Sequence, residues 1–484
     1  MGELGQDSGR RSLLKKMLVG TGAISALPLS GSRAAAIAAS PQARQAQVRV
    51  HMDEMQGPLN INRYGVGHGG YSDQPIWLDR AGSEIRALNP KLIRLFVQEY
   101  YDLLPALNQY RWEKVDASVD MILKTGAKPL MCIAFRPKVL FPNPDLKVVE
   151  PNDWEVWETL VFNLVRHYRD DGVGIQYWEV GNEPPHGGDT PYNFTQENYL
   201  RYYQRTVAAV RRADPEARVG GPAPDFYTSP FLPALLSFCD REKVPIDFVS
   251  WHIYNDDPKV FRTSIESVKQ MLSKHPSLRL ETIIDEWNYA AWNSDGTNAM
   301  IDPSWHPCYV AEVTFQMTEG GLDYSCYYQV RDYYVAPEVI GFLPPERAAW
   351  WDHTLDVLGL FDNQNRVQPA YFVFRYLSRL TGDRLRLQSS DAAVHGLASY
   401  DKTLGAYGLL VWNFSNQPAH VEIVIEGAPS DLTIERVVLD VRSMRNPAFA
   451  PFDLEPPLHL SAGNMRAGVD LERYGIVYWS LHKH

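Results

Sequence analysis

The sequence lacks several features that would assign it to a large class of proteins. It has only 4 cysteines in 484 residues, Cys132, Cys239, Cys308 and Cys326, and their spacing fits neither a disulfide framework nor a metal site. Acidic residues outnumber basic ones by 58 to 47, and the net charge of −11 argues against nucleic acid or an anionic membrane surface as partner. The apolar run from Met17 to Leu29 is too short and too rich in Gly, Ser and Thr for stable membrane insertion.

That apolar run belongs to a segment that is typical of protein export. Paired arginines, Arg10 and Arg11, precede it, and the small-residue stretch 34–39 follows it. A basic N-terminus without a function is the alternative, but the order of these parts is that of a twin-arginine signal. We therefore expect residues 1–39 to be a signal peptide cleaved near Ala38, and the mature protein to be periplasmic or secreted.

From residue 60 to residue 382, short apolar runs alternate with amphipathic helical stretches. This alternation predicts a parallel α/β architecture. The predicted strands number eight, which indicates a (β/α)8 TIM barrel with its site at the carboxyl ends of the strands. They are Ile61 to Gly67, Leu92 to Val97, Pro129 to Phe135, Ile175 to Val180, Arg218 to Gly221, Phe248 to Ile253, Leu280 to Glu286 and Tyr324 to Val330.

The character of the chain changes after a helix predicted from Pro369 to Leu380. Residues 383–484 contain β-rich runs separated by Gly, Pro, Asn and Ser, which predicts a C-terminal β-sandwich domain. Residues 40–59 hold one short strand, Gln47 to Met52, before the first barrel strand. We expect that strand to pair with the β-sandwich.

Two glutamates end predicted barrel strands in polar, aromatic turns. Glu183 lies in Glu179-Val-Gly-Asn-Glu-Pro184 after the fourth strand, and Glu286 lies in Asp285-Glu-Trp-Asn288 after the seventh. At roughly 30 residues per strand–helix unit, they are about three units apart. Two such carboxylates at the carboxyl end of one barrel are the catalytic groups that a glycoside hydrolase requires. The alternative is that both glutamates are solvated loop residues without a catalytic role.

These motifs resemble clan A glycoside hydrolases, most closely family 39, which includes β-xylosidases and α-L-iduronidase. The resemblance implies a retaining glycosidase in which Glu183 is the acid/base and Glu286 the nucleophile. It also implies a double displacement on a carbohydrate substrate that requires neither a cofactor nor a metal. Oligomeric state is not implied.

Four further residues match positions that bind substrate in such enzymes. Arg94 on the second strand corresponds to an arginine that bonds the nucleophile, although it could equally pair with Glu179. Asn182 corresponds to the residue that bonds the sugar 2-hydroxyl, or else it caps its turn. His252 and Tyr254 match a His-x-Tyr pattern beside the nucleophile, whereas a lone histidine is more often a core residue.

Aromatic residues crowd the ends of the predicted strands. Rings stack on the C–H faces of sugars, so we expect several of them to line the site, above all Trp287 and also Tyr328. His68, in the glycine-rich turn after the first strand, is expected to face the same pocket. The wider aromatic set comprises Trp287, Trp292, Trp305, Tyr327, Tyr328, Trp350 and Trp351.

Because of two departures from the family 39 pattern, the resemblance does not specify which sugar the site binds. The second strand has Phe96 where family 39 tends to have histidine, and the eighth lacks the tryptophan common in the clan. The turn Asp285 to Asn288 also resembles family 51 arabinofuranosidases, so an α-L-arabinosidase is an alternative. A non-catalytic carbohydrate-binding protein on the same fold is another, and turnover of aryl glycosides distinguishes it.

Overall fold

A computed structural model describes most of the chain from residue 43 onward. The described ranges are 43–59, 64–68, 78–143, 145, 147–184, 193–290, 304–332, 358–362, 364–439 and 453–483. The predicted signal peptide lies outside them. No helix in these ranges is long and apolar enough to cross a membrane.

The first architectural unit is a closed barrel of eight parallel strands, which confirms the predicted fold class. Each strand pairs with its neighbour in sequence, and the first pairs with the last. The observed bounds agree with most of the predicted ones to within two residues. The strands are β2 (Tyr64–His68), β3 (Leu92–Val97), β4 (Lys128–Ile133), β5 (Tyr177–Val180), β6 (Arg218–Pro222), β7 (Phe248–Tyr254), β8 (Glu281–Asn288) and β9 (Tyr324–Tyr328).

Amphipathic helices surround the barrel. Their apolar faces bury large side chains such as Trp157 and Tyr199 against the strands. Two well-capped examples show how the local sequence defines the ends, because Asp153 and Thr195 accept hydrogen bonds from the first turns that follow them. The helices are α1 (Leu78–Ala87), α2 (Glu113–Thr125), α3 (Trp154–Asp170), α4 (Gln196–Ala213), α5 (Phe231–Glu242), α6 (Lys259–Leu272), α7 (Trp305–Gly320) and α8 (Pro369–Leu377).

The interior of the barrel is built in layers because side chains on one face of a strand recur every second residue. The lower layer, at the amino ends of the strands, is a small apolar cluster. Two residues further along, the same strands present polar and charged groups. The lower layer consists of Leu92, Leu130, Tyr177, Phe248, Ile283 and Cys326.

The second unit is a continuous, mostly antiparallel sheet of nine strands. Its strand from the start of the chain, β1 (Arg44–Pro58), lies inside this sheet and not at its edge. The C-terminal strands are β10 (Asp383–Ser389), β11 (Val394–Asp401), β12 (Ala406–Asn413), β13 (Ala419–Ala428), β14 (Leu432–Leu439), β15 (Asp453–Leu460), β16 (Gly463–Leu471) and β17 (Ile476–Lys483). β1 pairs with β10 antiparallel and with β13 parallel.

The sheet unit packs against two barrel helices through apolar and polar contacts. On α8, the ring of Tyr376 stacks on Tyr478 with 4.8 Å between centroids. On α7, the buried carboxylate of Glu312 accepts hydrogen bonds from Trp412 Nε1 at 2.8 Å and from His395 Nδ1 at 2.7 Å. The four cysteines are buried free thiols.

Candidate active site

Arg94 occupies the centre of the polar layer above the apolar one. Its guanidinium is fully buried and donates from Nη1 to Glu286 Oε2 at 2.8 Å, from Nε to Glu179 Oε2 at 2.6 Å and from Nη2 to Asn182 Oδ1 at 2.8 Å. The sequence left two partners open for Arg94, and the structure gives it both. One rigid fork of donors therefore connects the ends of the fourth and seventh barrel strands.

Glu183 lies in a tight turn just after β5. Gly181 has φ 88° and Glu183 itself has φ 45°, a left-handed conformation that side chains with a Cβ seldom adopt. The Glu183 amide donates to the carbonyl of Ala223 at 2.8 Å, which ties the turn to the end of β6. Such strained backbone is typical of functional sites, and here it directs the carboxylate to His252 at the barrel mouth.

Glu286 receives one hydrogen bond on each carboxylate oxygen. Tyr254 on β7 donates its hydroxyl to Oε1 at 2.6 Å, and Arg94 donates to Oε2. Its side chain is 10% exposed, so substrate can reach the carboxylate while most of the surrounding water is excluded. One oxygen of Glu286 and one of Glu183 lie within 4.8 Å of each other.

His252 on β7 connects the two halves of the site. Its Nδ1 lies 3.0 Å from Glu183 Oε1, and its Nε2 lies 3.1 Å from Asp285 Oδ2. The ring is fully buried. The His-x-Tyr pattern predicts that His252 lies beside Glu286; the nearest Glu286 oxygen is 4.0 Å from Nε2, and the closer contacts are with Glu183 and Asp285.

The protonation of this cluster is set by burial acting against charge. Burial raises the pKa of the Glu286 carboxyl above its usual value, although His252, Arg94 and the Tyr254 hydroxyl pull it down. The partners expected to keep Glu286 ionised are therefore present, but desolvation outweighs them. Burial likewise raises the pKa of Glu179 to about 7. For His252, burial is outweighed by the carboxylates of Asp285 and Glu286, which raise the imidazole pKa well above its ordinary range.

Comparison with known proteins identifies the family. The model of glycosyl hydrolases family 39 matches residues 97–422, which is more than half of the chain. The chain belongs to glycosyl hydrolase family 39.

Two relatives are β-xylosidases. The chain is 26% identical to one from Caldicellulosiruptor saccharolyticus over 305 residues, covering 59% of this chain and 60% of the relative. It is 23% identical to one from Geobacillus stearothermophilus over 368 residues, covering 68% of each. The fold is also that of a monomeric β-xylosidase from Caulobacter crescentus CB15, with a TM-score of 0.73, 17% identity and coverage of 91% of this chain and 100% of that one.

Phe96, a departure from the pattern expected of family 39, covers the guanidinium of Arg94. The centre of its ring lies 4.4 Å from Arg94 Cζ, and its edge meets Tyr328 with 6.5 Å between centroids. Tyr328, predicted to line the site, is 6% exposed. The aromatic pair therefore forms an apolar wall beside the charged cluster.

The prediction that Trp287 lines the cleft is wrong. Its side chain is fully buried and packs edge-on against Phe261 of α6 and Tyr327, with Phe374 of α8 nearby. β8 does not end at Glu286 but continues to Asn288, so Trp287 is still a strand residue. Alternation therefore turns it outward to the helices.

The other aromatic and histidine residues predicted to line the site lie in different parts of the molecule. Trp292, Trp350 and Trp351 lie outside the described residues. Trp305 stacks on Tyr309 within α7. His68 ends β2 and is 1% exposed, and burial, aided by the charge of Arg331, lowers its pKa well below the ordinary value. His68 thus lies at the carboxyl end of its strand as predicted, but its burial leaves little surface for a substrate.

One group of three residues in the described part of the chain has atoms spaced for a metal ion, namely Glu183, His252 and Glu286, within 4.8 Å of one another. Both ring nitrogens of His252 already face carboxylate oxygens. A ring nitrogen that donates its hydrogen to a carboxylate has no lone pair for a metal. The donor set thus fits acid–base chemistry better than metal binding.

Asp285 is a member of the site that the sequence did not predict. It is fully buried, and its Oδ2 lies 3.0 Å from Arg94 Nη2 as well as 3.1 Å from His252. The signal that could have found it is the acidic pair Asp285-Glu286 itself. Regular alternation, however, would turn one member of such a pair away from the barrel interior.

Proposed function

We propose that this protein is an exported, retaining glycosidase of the β-xylosidase type. The observation that carries the proposal is the geometry of Glu183 and Glu286, whose nearest carboxylate oxygens lie within 4.8 Å. Retaining enzymes hold their carboxyl groups about 5 to 5.5 Å apart, whereas inverting enzymes leave roughly 6.5 to 9.5 Å for a water molecule.

In the first step, Glu286 attacks the anomeric carbon while Glu183 gives its proton to the leaving oxygen. The glycosidic bond breaks, and the sugar becomes an ester of Glu286. In the second step, Glu183 takes a proton from water, which attacks the same carbon and releases Glu286. Arg94 and Tyr254 hold one oxygen each of Glu286 and favour the carboxylate as it departs.

The names of the two relatives favour a β-D-xyloside as substrate. The site offers Asn182, held by Arg94, for the 2-hydroxyl of that sugar, a contact that strengthens as the oxocarbenium ion develops. An α-L-arabinosidase is the second candidate. It is favoured by Asp285, which belongs to the turn resembling family 51 and makes direct contacts inside the site.

The test is a panel of aryl glycosides followed by ¹H NMR of the first-formed anomer. We expect turnover of the β-D-xyloside with retained configuration. A 2-fluoro aryl xyloside, which slows the second step, should leave a glycosyl adduct that peptide mass spectrometry locates on Glu286. Preference for an α-L-arabinoside would select the second candidate, and an inverted product would refute the double displacement.

Export by the twin-arginine route is proposed from the sequence alone. Arg10 and Arg11 precede the apolar run in the order that such signals require. Replacing both with lysine retains the charge and should hold the protein in the cytoplasm on cell fractionation. Unchanged export of this variant would contradict the proposed route.

A further inference from the structure

Asp285 enters the site through an irregularity in β8. The pairing of β7 with β8 passes from Trp251 opposite Ile284 directly to His252 opposite Glu286. Asp285 is therefore the extra residue of a β-bulge, and both members of the acidic pair face the barrel interior. Bulges are a recurrent way to redirect a side chain next to an active site.

A single oxygen of Asp285 serves two cationic side chains. Oδ2 lies 3.0 Å from Arg94 Nη2 and 3.1 Å from His252 Nε2. Arg94 has other carboxylate partners, Glu179 and Glu286. At His252 Nε2, in contrast, the next carboxylate is Glu286 at 4.0 Å. The loss of Asp285 would thus affect His252 more than it affects Arg94.

The state of His252 determines which oxygen of Glu183 carries the proton. An ionised Asp285 can only accept, so Nε2 of His252 must donate to it. If the ring is doubly protonated, Nδ1 donates to Glu183 Oε1, and the proton that Glu183 transfers must reside on Oε2. If the ring is neutral with its hydrogen on Nε2, Nδ1 is an acceptor and draws the Glu183 proton to Oε1.

We propose that Asp285 is a positioning residue for acid catalysis, which keeps His252 doubly protonated and thereby places the transferable proton of Glu183 on Oε2. The inference rests on the proposed function, because it assigns a role within that reaction. The charged and titratable groups around the ring are consistent with it. They are Asp285 and Glu183, which face its two nitrogens, Glu286 at 4.0 Å from Nε2, and Arg94, which in turn contacts Asp285 and Glu286.

The decisive variant is Asp285→Asn, assayed with two aryl xylosides that differ in leaving group. A dinitrophenyl group departs with little help from an acid, whereas an unsubstituted phenyl group needs protonation. We expect kcat/KM for the phenyl xyloside to fall by about 10²-fold or more, and that for the dinitrophenyl xyloside to fall far less. An equal loss on both substrates would overturn the proposal.

Glu179→Gln is the matched control. Glu179 is equally buried and bonds the same arginine, but Arg94 and not His252 is its partner. A loss that acts through Arg94 and Glu286 should be equal for the two leaving groups. If Asp285→Asn behaves like Glu179→Gln, Asp285 acts through the nucleophile and the proposal is wrong.

A double mutant isolates the pathway through Glu183. In the Glu183→Ala background there is no proton to place, so adding Asp285→Asn should leave the rate on the dinitrophenyl xyloside within about twofold. A further large loss would contradict the link. If circular dichroism shows that Asp285→Asn does not fold, His252→Asn removes the other partner of the same hydrogen bond. Equal losses of kcat/KM on the two xylosides in that variant would overturn the proposal. Wild-type turnover with retention tests the proposed function separately.

Discussion

Two successive layers of the barrel interior, made by the same strands, have opposite chemistry. The lower layer contains Leu92 and Leu130, and two residues further along the same strands lie Arg94 and Cys132. These four side chains are all fully buried. Burying a large apolar side chain contributes roughly 1.5 to 3 kcal/mol, whereas burying an ion costs several kcal/mol before its partners offset the loss.

This difference separates what holds the barrel together from what the barrel does. The lower layer stabilises the fold through apolar burial alone. In the upper layer, Arg94 contacts both Glu179 and Asp285. Such a buried cluster of charges contributes little to the free energy of folding even when every partner is present. The upper layer lies towards the carboxyl ends of the strands, where TIM-barrel enzymes bind their substrates.

Replacing Glu183 and Glu286, the glutamates proposed to be catalytic, should separate activity from stability most strongly. Glu286→Ala should lower kcat by about 10⁵-fold or more with any leaving group, because no glycosyl-enzyme forms. Glu183→Ala should lose most activity on a phenyl xyloside, yet on a dinitrophenyl xyloside it should accumulate the glycosyl-enzyme. Azide should then rescue turnover of Glu183→Ala. Rescue of Glu286→Ala with inverted product would reverse the two roles.

Arg94→Met tests whether the upper layer depends on its central cation. Buried carboxylates would remain without their partner, so we expect a loss of about 3 to 5 kcal/mol in the free energy of unfolding, together with nearly complete loss of activity. Without Arg94 the raised pKa values of Glu179 and Glu286 rise further, so the deficit should grow as the pH rises from about 4.5 to about 7. Urea titrations at several pH values measure this. If Arg94→Met were more stable than the wild type, the upper layer would not depend on its central cation.

Leu130→Ala is the reciprocal change in the lower layer. The cavity should lower the free energy of unfolding by about 2 to 5 kcal/mol, while kcat/KM stays within a fewfold of wild type. The matched variant is Cys132→Ala, two residues along β4, where the thiol lies 3.4 Å from Arg94 Nη2. It removes less volume and should therefore destabilise less but reduce activity more. The reverse ranking would show that the layers are not functionally distinct.

The smallest effect concerns Glu312, a buried carboxylate outside the barrel interior. Burial alone would raise its pKa, but hydrogen bonds from His395, Gln316 and Trp412 lower it below the ordinary value of 4.5. Its stabilisation is therefore present above that pH and is lost as the pH falls through the folded-state pKa. Glu312→Gln should cost about 1 to 3 kcal/mol at neutral pH, and the difference should shrink in acid while activity stays unchanged.

Its control is Glu319→Gln on the same helix, where the partly exposed pair with Arg384 should contribute at most about 1 kcal/mol. Equal losses in the two variants at neutral pH would show that burial does not distinguish these carboxylates. Chemical denaturation at about pH 7 and about pH 4 provides the measurement.

Hydrophobic patterning was sufficient to predict the barrel. Strands such as Leu92–Val97 are buried on both faces and, apart from Arg94, apolar, a pattern that depends on local sequence alone. The proximity of Glu183 and Glu286 could be predicted as well, because the carboxyl ends of all strands meet at one end of a parallel barrel. The paired motifs and the family resemblance thus predicted most of the charged site, including Arg94 and His252.

Departures from regular alternation were not predictable. The bulge at Asp285 inserts one residue into the register of β8, which no period-two pattern in the sequence contains. Trp287 was misplaced for a simpler reason, because the strand was expected to end at Glu286. The balance between desolvation and charge at Glu286 also depends on three-dimensional burial, which composition does not reveal.

The position of β1 has a consequence for the order of assembly. This strand is synthesised first, yet its neighbours β10 and β13 come after the whole barrel has been made. Because a strand inside a sheet needs both neighbours, Val48 and Val50 stay without their packing partners until the C-terminal strands have left the ribosome. A chain truncated after the barrel would therefore leave β1 as an exposed apolar strand, because the sheet that contains it forms only after the later strands have been made.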